Sequence, residues 1–263
     1  MSWAAVVLAG GGIDDALKQH AQVASKALIP IGGQPMVARM VDVLRQCRSI
    51  SAISLVMPED EVPAEVRARV THVARPGRKM LDSVAAGLNV LPTEVANAGC
   101  LVVPGDCPFM SIEAVEDFLA EVRARPAEFC YGYLHREDSE ATYPTLKHTY
   151  ARFVEGVLCG SGLIIMTPEG VEKARAVMEA TIAARKSPLR ITGILGWSFI
   201  LKFIFRRLSV RDAEQRVGEL LNSRVSAIRT RHACAGFNVD SLEQLLLAES
   251  LVAPSAADAG RQP

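Results

Sequence analysis

The chain has 263 residues, with 29 Lys plus Arg balanced by 29 Asp plus Glu, so its formal net charge is zero. Non-specific nucleic-acid binding requires a basic excess, and we therefore expect no nucleic-acid partner. A hydrophobic fraction of 49% and a charged fraction of 22% exclude disorder over most of the length. The six cysteines form no C-x-x-C pair, which favours buried thiols in a cytoplasmic protein over a zinc site or a disulfide scaffold.

The first half of the chain alternates short apolar runs with helical patterns. Strands are predicted at residues 2–8, 53–57 and 100–103, and helices at 35–47, at 80–91 and after Ser111, whose side chain is placed to cap the third helix. Such alternation is typical of βαβ units around a mostly parallel sheet. The sequence therefore predicts an α/β fold.

The second half of the chain is less regular and richer in helical patterns. An edge or antiparallel strand is predicted at 128–136, a solvated charged turn at 135–140, and further strands at 162–166 and 224–230. Helices are predicted at 169–185, 191–208, 210–221 and 240–250. We interpret residues 1–250 as a single domain with an α-rich insertion at 168–222, followed by a disordered tail at 251–263.

The helix predicted at 191–208 is unusually apolar. Its longest uncharged run ends at Leu201 and has eleven residues, whereas a bilayer span needs about 20, so we expect no transmembrane segment. Trp197 and Leu201 share an apolar stripe, opposite Lys202 and Arg206. The stripe favours burial in the core or in a homodimer interface. The alternative is a peripheral contact in which the basic residues face lipid headgroups.

A glycine-rich loop, Leu8-Ala9-Gly10-Gly11-Gly12, follows the first predicted strand. Glycines allow a backbone to approach a phosphate closely, and loops after parallel strands are where such sheets bind ligands. The chain has no G-x-x-x-x-G-K-[ST] sequence, and Asp15 stands where G-x-G-x-x-G would need its third glycine. The loop therefore indicates either a phosphate site of another type or a tight strand exit.

Three charged residues stand in positions suited to phosphoryl chemistry. Lys26 follows the glycine loop and could meet negative charge developing on a phosphoryl group; the alternative is a surface lysine. Asp106, in Pro104-Gly105-Asp106-Cys107-Pro108, follows an apolar strand and could hold Mg²⁺; the alternative is a turn residue. Asp240 could supply a second carboxylate to the same ion, or cap the last helix with Glu243 completing a capping box.

The ordered set of motifs is more specific than any single one. LAGGG, SKALIPIGGQPM, GRKMLDSVAAGL, VVPGDCPF and FNVDSLEQL occur in that order. In this order they resemble the nucleotidyltransferases of the MobA-like NTP transferase superfamily. Arg185-Lys186-Ser187-Pro188 is similar to an R-K-x-P motif of one group within it. The resemblance implies a Rossmann-like three-layer sandwich of the glycosyltransferase-A type.

The resemblance also implies an activity and a set of roles. The activity is transfer of an NMP from an NTP, CTP or GTP, to a phosphorylated or hydroxyl acceptor with release of pyrophosphate. Leu8, Ala9, Gly10, Gly11 and Gly12 would form the loop that holds the nucleotide phosphates. By the same resemblance, Lys26 would stabilise the transition state and Ser83 would lie near the base or ribose. Asp106 would bind Mg²⁺, and Asp240 would be the second acidic residue of the site.

Two positions depart from the pattern of better-characterised relatives. Ile13 and Asp15 replace a glycine and an arginine of the loop, and Lys18 is the nearby cation that could substitute for the arginine. Gly160-Ser161-Gly162 replaces a G-G-N. The loss of the arginine motivates a second hypothesis, a non-catalytic nucleotide-binding or regulatory protein. A third, a nucleotide-sugar glycosyltransferase, would need a D-x-D motif, which residues 138–140 only approximate.

Overall fold

The computed structural model describes residues 2–184 and 188–252. The R-K-x-P motif at 185–188, apart from Pro188, and the predicted tail from residue 253 onward lie outside these residues. In the described part of the chain the strands are β1 (Trp3–Leu8), β2 (Pro30–Ile31), β3 (Gln34–Pro35), β4 (Ile50–Val56), β5 (His72–Ala74), β6 (Cys100–Pro104), β7 (Phe129–His135), β8 (Ala151–Phe153), β9 (Gly156–Met166) and β10 (Val225–Arg229).

Over the same residues twelve α-helices connect and cover these strands. They are α1 (Asp15–Ala21), α2 (Met36–Gln46), α3 (Ala64–Arg67), α4 (Met80–Asn89), α5 (Thr93–Asn97), α6 (Ile112–Ala124), α7 (Arg136–Thr142), α8 (Pro168–Ala184), α9 (Pro188–Leu195), α10 (Trp197–Ile204), α11 (Val210–Leu221) and α12 (Leu242–Val252). Ser111 caps α6 as predicted, since its Oγ accepts a hydrogen bond of 3.1 Å from the Ala114 amide.

Within the described residues, one eight-stranded sheet forms the centre of the molecule. Its strand order is β10-β7-β9-β6-β1-β4-β5, with β8 paired to β9. The pairs among β6, β1, β4 and β5 are parallel, as is β7 with β10. Strand β9 runs antiparallel to its neighbours. The carboxyl ends of β1, β4 and β6 therefore meet at one edge, where an open α/β sheet binds ligands.

Helices cover both faces of the sheet, because its buried strands are apolar on both sides. Alternate residues of β1 point in opposite directions. Ala5 and Val7 belong to a core with α2 and α6, whereas Ala4 and Val6 belong to a second core with α4 and α5. The predicted α/β three-layer architecture with a mostly parallel central sheet is confirmed.

Several elements of the second half differ from the prediction. Strand β8 is not predicted, and β9, predicted at 162–166, begins at Gly156. Residues 135–140, predicted as a turn, are mostly helical: α7 is stabilised by an ion pair between Arg136 and Glu140 at i,i+4 spacing, 2.6 Å. The single helix predicted at 191–208 is two helices, because the chain turns at Gly196 with φ +85°. α10 ends at Ile204, so the apolar helix is only eight residues long.

The long apolar segment raises the question of membrane insertion. Over residues 2–184 and 188–252, none of the helices has both the length and the hydropathy that crossing a bilayer would require.

Candidate active site

The glycine loop and the Asp106 turn lie side by side because β1 and β6 are adjacent parallel strands. Leu8 is paired with Pro104 at the carboxyl ends of the two strands. The Gly105 amide donates to the Leu8 carbonyl at 2.8 Å. A Cβ on Gly105 would lie 3.1 Å from the Ala9 Cβ, so only glycine lets the two loops approach this closely. The two motifs singled out in the sequence therefore share one edge of the sheet.

The glycine loop has an anchored base and an open tip. A Cβ on Gly10 would lie 2.7 Å from the Pro76 ring, whereas Cβ atoms on Gly11 and Gly12 would meet no described atom within 4 Å. The buried Ser25 holds the loop from below: its Oγ donates to the Ala9 carbonyl at 2.6 Å and lies 3.3 Å from that of Gly11. The tip therefore presents bare backbone to solvent, as a phosphate-binding loop requires.

Lys26 joins the two aspartates that the sequence singled out. It begins a short 3₁₀ turn, Lys26–Leu28, directly after Ser25. Its Nζ lies 2.5 Å from Asp106 Oδ2 and also donates to Asp240 Oδ1. The exposed fractions of the side chains are 22% for Lys26, 6% for Asp106 and 53% for Asp240. The cluster thus runs from a buried carboxylate to a solvent-facing one.

The C-terminal segment reaches this site through a backbone hydrogen bond and a small core. The Val239 amide donates to the Asp106 carbonyl at 3.0 Å. Val239 and Phe237 are fully buried with Leu17 and Ile29 in a third core beneath the site. Asn238, which the sequence analysis left unassigned, donates from its side-chain amide to Asp240 Oδ2. These contacts direct the Asp240 carboxylate towards Lys26.

The predicted capping role of Asp240 with Glu243 is wrong by one residue. α12 begins at Leu242, and the Ser241 amide and Gln244 form the reciprocal pair: Ser241 N donates to Gln244 Oε1 at 3.0 Å, and Gln244 N to Ser241 Oγ at 3.3 Å. Glu243 instead pairs with Lys147 at 2.8 Å. The Asp240 side chain is therefore left to contact Lys26 and Asn238.

The electrostatics of the cluster favour a protonated lysine and an excess of negative charge. Burial acts to lower the pKa of Lys26, but the charges and hydrogen bonds of Asp106 and Asp240 outweigh it and raise the pKa above its ordinary value. Burial raises the pKa of Asp106; Lys26 opposes the rise and Asp240 adds to it. Two carboxylates share one ammonium, so an added cation would relieve their repulsion.

Asp106 has one oxygen whose environment suits a metal ion. Its Oδ1 is buried and has no hydrogen-bond partner among the described residues, and a buried acceptor of this kind is costly unless something binds it. Carboxylate oxygens are ligands that Mg²⁺ prefers. The described residues hold no group of three or more Asp, Glu, His or Cys with metal-site geometry. Phosphate oxygens and water would therefore have to complete the coordination of Mg²⁺ by Asp106 and Asp240.

The other residues named from the sequence lie around the loop but outside the charged cluster. Ser83, on α4, accepts a hydrogen bond of 3.0 Å from the Gly77 amide. Ile13 packs against the third core. Asp15 is exposed in the first turn of α1, which Asp14 caps, and Lys18 is exposed in its last turn. Asp15 therefore faces solvent next to the open glycine tip.

A cavity of about 650 Å³ adjoins the cluster on the β7 and β9 side of the sheet. Its wall contains residues that sequence reasoning did not single out, among them Tyr131, Lys147, His148, Thr149 and Asn238. The Gly160-Ser161-Gly162 segment forms one side, and a Cβ at Gly162 would lie 3.1 Å from the Pro104 ring. The polar residues in this wall come from four separate segments, so no local motif reveals them.

Comparisons with known proteins find chains with a similar fold. The chain is 31% identical to a hypothetical transferase from Thermus thermophilus, with a TM-score of 0.77 over 93% of this chain and 100% of the other. It resembles the 2-C-methyl-D-erythritol 4-phosphate cytidylyltransferase of Thermus thermophilus, at 17% identity and TM-score 0.53 over 96% and 99% of the two chains. It also resembles a CMP:2-keto-3-deoxy-manno-octonic acid synthetase complexed with CTP, at 13% identity and TM-score 0.60 over 96% and 99%.

The similarities to the cytidylyltransferase and to the synthetase show only that the folds are alike. A search of curated proteins gives no match. The sequence model of the MobA-like NTP transferase domain matches residues 5–181, which is more than half of the chain and includes the glycine loop, Lys26 and Asp106. The chain therefore belongs to the MobA-like NTP transferase family.

Proposed function

We propose that this protein transfers an NMP from an NTP to a phosphorylated or hydroxyl acceptor and releases pyrophosphate. The observation that carries the proposal is the position of Lys26, held between Asp106 and Asp240 beside the open tip of the glycine loop. An ammonium at this place can neutralise charge that develops on the α-phosphate during attack.

In this proposal the glycine loop binds the nucleotide phosphates, and the charged cluster around Lys26 activates the α-phosphate. The open backbone at Gly11 and Gly12 receives the nucleotide phosphates, while Ser83 lies on the helix that would border the base or ribose. Lys26 is part-exposed, so its ammonium can exchange a carboxylate partner for a phosphate oxygen. The glycine loop and Lys26 lie at the same edge of the sheet, which supports a position for the α-phosphate next to Lys26.

Asp106 and Asp240 are the residues that would hold Mg²⁺. A bound Mg²⁺ supplies positive charge to the nucleotide phosphates. The orphaned Oδ1 of Asp106 supports this assignment. The exposed Asp240 carboxylate would complete the pair from the solvent side.

The cavity beside the cluster is the proposed acceptor site. It opens next to Asp240, and its one lysine, Lys147, already pairs with Glu243. CTP and GTP remain the nucleotides we propose. The fold relatives that are named as cytidylyltransferases, or complexed with CTP, support testing CTP first.

One observation favours a second candidate, a non-catalytic nucleotide-binding protein. Asp15 is exposed next to the glycine tip, where its charge would repel phosphates. The glycosyltransferase hypothesis gains no such support. Asp138 pairs with Arg229 at 3.0 Å, and Glu140 pairs with Arg136, so the segment that approximates D-x-D is engaged in helix α7 and its contacts.

The proposal is tested with purified protein, four NTPs, Mg²⁺ and a panel of phosphorylated and hydroxyl acceptors, with pyrophosphate release as the readout. Calorimetry of NTP binding with and without Mg²⁺ is run in parallel on Asp106→Asn and on a control, Glu94→Gln, an exposed residue of α5, the helix that precedes the amino end of β6. We expect Mg²⁺ to strengthen NTP binding to the control and to the parent chain, but not to Asp106→Asn.

Two results would contradict the proposal in different ways. Equal Mg²⁺ dependence in Asp106→Asn and the parent chain would remove Asp106 from the metal site. NTP binding without pyrophosphate release across the acceptor panel would favour the non-catalytic candidate, and Asp15→Arg would then be the first variant to examine.

A further inference from the structure

Five large apolar side chains on helix α10 and at its C-terminal end are left exposed by the described part of the chain. The exposed fractions are 63% for Trp197, 47% for Leu201, 49% for Phe203, 63% for Ile204 and 68% for Phe205. These five residues are called the 197–205 patch. Large exposed apolar patches of this kind mark interaction surfaces.

The opposite side of α10 is fixed to the protein, so the patch is held outward. Lys202 Nζ donates to Asp212 Oδ1 of α11 at 2.6 Å. Leu208, just beyond the patch, is 2% exposed, and its carbonyl accepts a hydrogen bond from the Val154 amide at 2.9 Å. Val154 itself is 64% exposed and extends the apolar surface onto the β8–β9 hairpin.

Basic residues border the patch. Arg206 and Arg207 follow it directly and are exposed, and Arg152 is exposed in the adjoining β8 strand. No acidic residue occurs between Trp197 and Arg211, and the one lysine there is engaged by Asp212. Glu155 is the nearby acidic residue on the β8–β9 hairpin, and its carboxylate accepts a hydrogen bond from the Val210 amide. The ion pairs of the described residues involve neither Arg206 nor Arg207, so an apolar surface lies beside two charged arginines.

These charges distinguish between two partners for the patch, a second copy of the chain and an anionic lipid surface. In a symmetric dimer the patch of one copy would cover the patch of the other, and residues 197–211 contain no acidic residue that could pair with the partner's arginines. An anionic lipid surface instead offers phosphates to the arginines and an apolar layer to Trp197, Ile204 and Phe205. Tryptophan and arginine together are typical of membrane interfaces.

We propose that the 197–205 patch docks this protein on the surface of an anionic lipid bilayer. The eight-residue helix α10 is about 12 Å long and lies in the headgroup region rather than crossing the membrane. Arg206 and Arg207 contact lipid phosphates while the apolar side chains enter the boundary of the acyl layer. This docking does not depend on nucleotide transfer, and each proposal can be tested without the other.

The two tryptophans allow a direct spectroscopic test. Trp3 is 6% exposed and Trp197 is 63% exposed, so a change on vesicle binding reports on Trp197. We expect vesicles containing phosphatidylglycerol to shift the fluorescence of the full chain to the blue. Pure phosphatidylcholine vesicles should shift it far less, high salt should reverse the shift, and Trp197→Phe should abolish it.

Co-sedimentation with the same vesicles tests the two components separately. Since each arginine near an anionic surface contributes about 1 kcal/mol, Arg206→Gln/Arg207→Gln should weaken partitioning roughly 30-fold. The matched control is Arg45→Gln/Arg48→Gln, two exposed arginines on and after α2. Phe205→Ser should weaken partitioning about tenfold or more. Its control is Leu246→Ser, at a residue 50% exposed on α12.

Absence of a blue shift and of co-sedimentation with phosphatidylglycerol vesicles would overturn the proposal. It would also be overturned by a blue shift that grows with protein concentration in the absence of vesicles, together with a dimer mass by light scattering. That result would assign the patch to a second copy of the chain.

Discussion

Lys26 is the residue on which the proposed chemistry depends most. Its ammonium is shared by two carboxylates that arrive from different parts of the chain, 214 positions separating Lys26 from Asp240. Both carboxylates raise the pKa of the lysine, so it stays protonated across the physiological range. A positive charge at this position suits electrostatic stabilisation of a phosphoryl group.

Replacing Lys26 should separate catalysis from binding. A group that acts mainly on charge developing in the transition state affects turnover more than ground-state affinity. We expect Lys26→Ala to lower kcat for pyrophosphate release by about 10²–10³ and to change NTP affinity much less. Lys26→Arg should restore activity only in part, because a planar fork replaces a compact charge. Near-normal turnover of Lys26→Ala would show that the assigned mechanism is wrong.

The glycine loop offers a matched pair of substitutions at adjacent positions. Gly10→Ala should destabilise the protein by about 1–3 kcal/mol, because the new methyl would meet the rigid Pro76 ring. Gly11→Ala meets no such neighbour and should leave stability within about 0.5 kcal/mol while weakening NTP binding. Urea unfolding and calorimetry measure the two effects. Equal destabilisation by both substitutions would contradict the distinction between an anchored base and an open tip.

Much of the site could be predicted from local sequence, and its assembly could not. The glycine loop, Lys26 and Asp106 each stand next to a predicted strand or turn, so they were expected at one edge of the sheet. The contact of Asp240 with Lys26 depends on the third core and on the Val239 amide, which no local pattern shows. Ser25 and Asn238 lie within the quoted motifs, but nothing in the sequence indicated that they would hold the glycine loop and Asp240.

At the scale of elements, prediction succeeded where the apolar pattern was strong. The strands β1, β4 and β6 are short apolar runs, the helices α2, α4 and α6 carry apolar residues at a helical period, and the structure contains all six. α1 was missed because its seven residues follow the glycine loop without a long pattern. The helix at 191–208 was predicted as continuous because a glycine within an apolar period does not by itself signal a break.

Two helical glycines should respond to alanine in opposite directions. Gly87 in α4 faces the sheet, and a Cβ there would overlap a methyl of Val6 and lie 2.7 Å from one of Val56. We expect Gly87→Ala to destabilise the protein by about 1–3 kcal/mol, although alanine is the better helix former. A Cβ on Gly193 in α9 would meet no described atom within 4 Å, so Gly193→Ala should stabilise by about 0.5–1 kcal/mol. Urea denaturation measures both changes, and the same sign for both would contradict the packing of α4 on the sheet.

For the whole molecule, the cysteines report how tightly the two main cores exclude solvent. All six thiols are free; five are buried, and Cys234 is half-buried. Burial raises the pKa of Cys47 and of Cys100 to about 12, and that of Cys130 and of Cys159 to about 11. Since the thiolate is the reactive form, the folded protein should resist thiol reagents at neutral and mildly basic pH.

Labelling with a chromogenic disulfide at mildly basic pH should therefore distinguish the folded from the unfolded chain. We expect no more than one thiol, Cys234, to react within minutes in the native protein, and all six to react in denaturant. Cys234→Ser is the control that should remove the fast phase. Rapid reaction of two or more thiols without loss of structure would show that the cores open more readily than their packing indicates.

The attachment of Asp240 to the Asp106 loop determines where the chain can be truncated without losing the charged cluster. The family model ends at residue 181, so a fragment expressed within those limits would lack one of the two carboxylates around Lys26. It would also lack Val239, Leu245 and Ala248, the buried partners of Leu17 and Ile29, and expose an apolar surface directly beneath the glycine loop. During synthesis on the ribosome the proposed nucleotide site is likewise incomplete until α12 has emerged. The smallest fragment that keeps this charged cluster and its core together therefore extends through α12, beyond the boundary of the recognised domain.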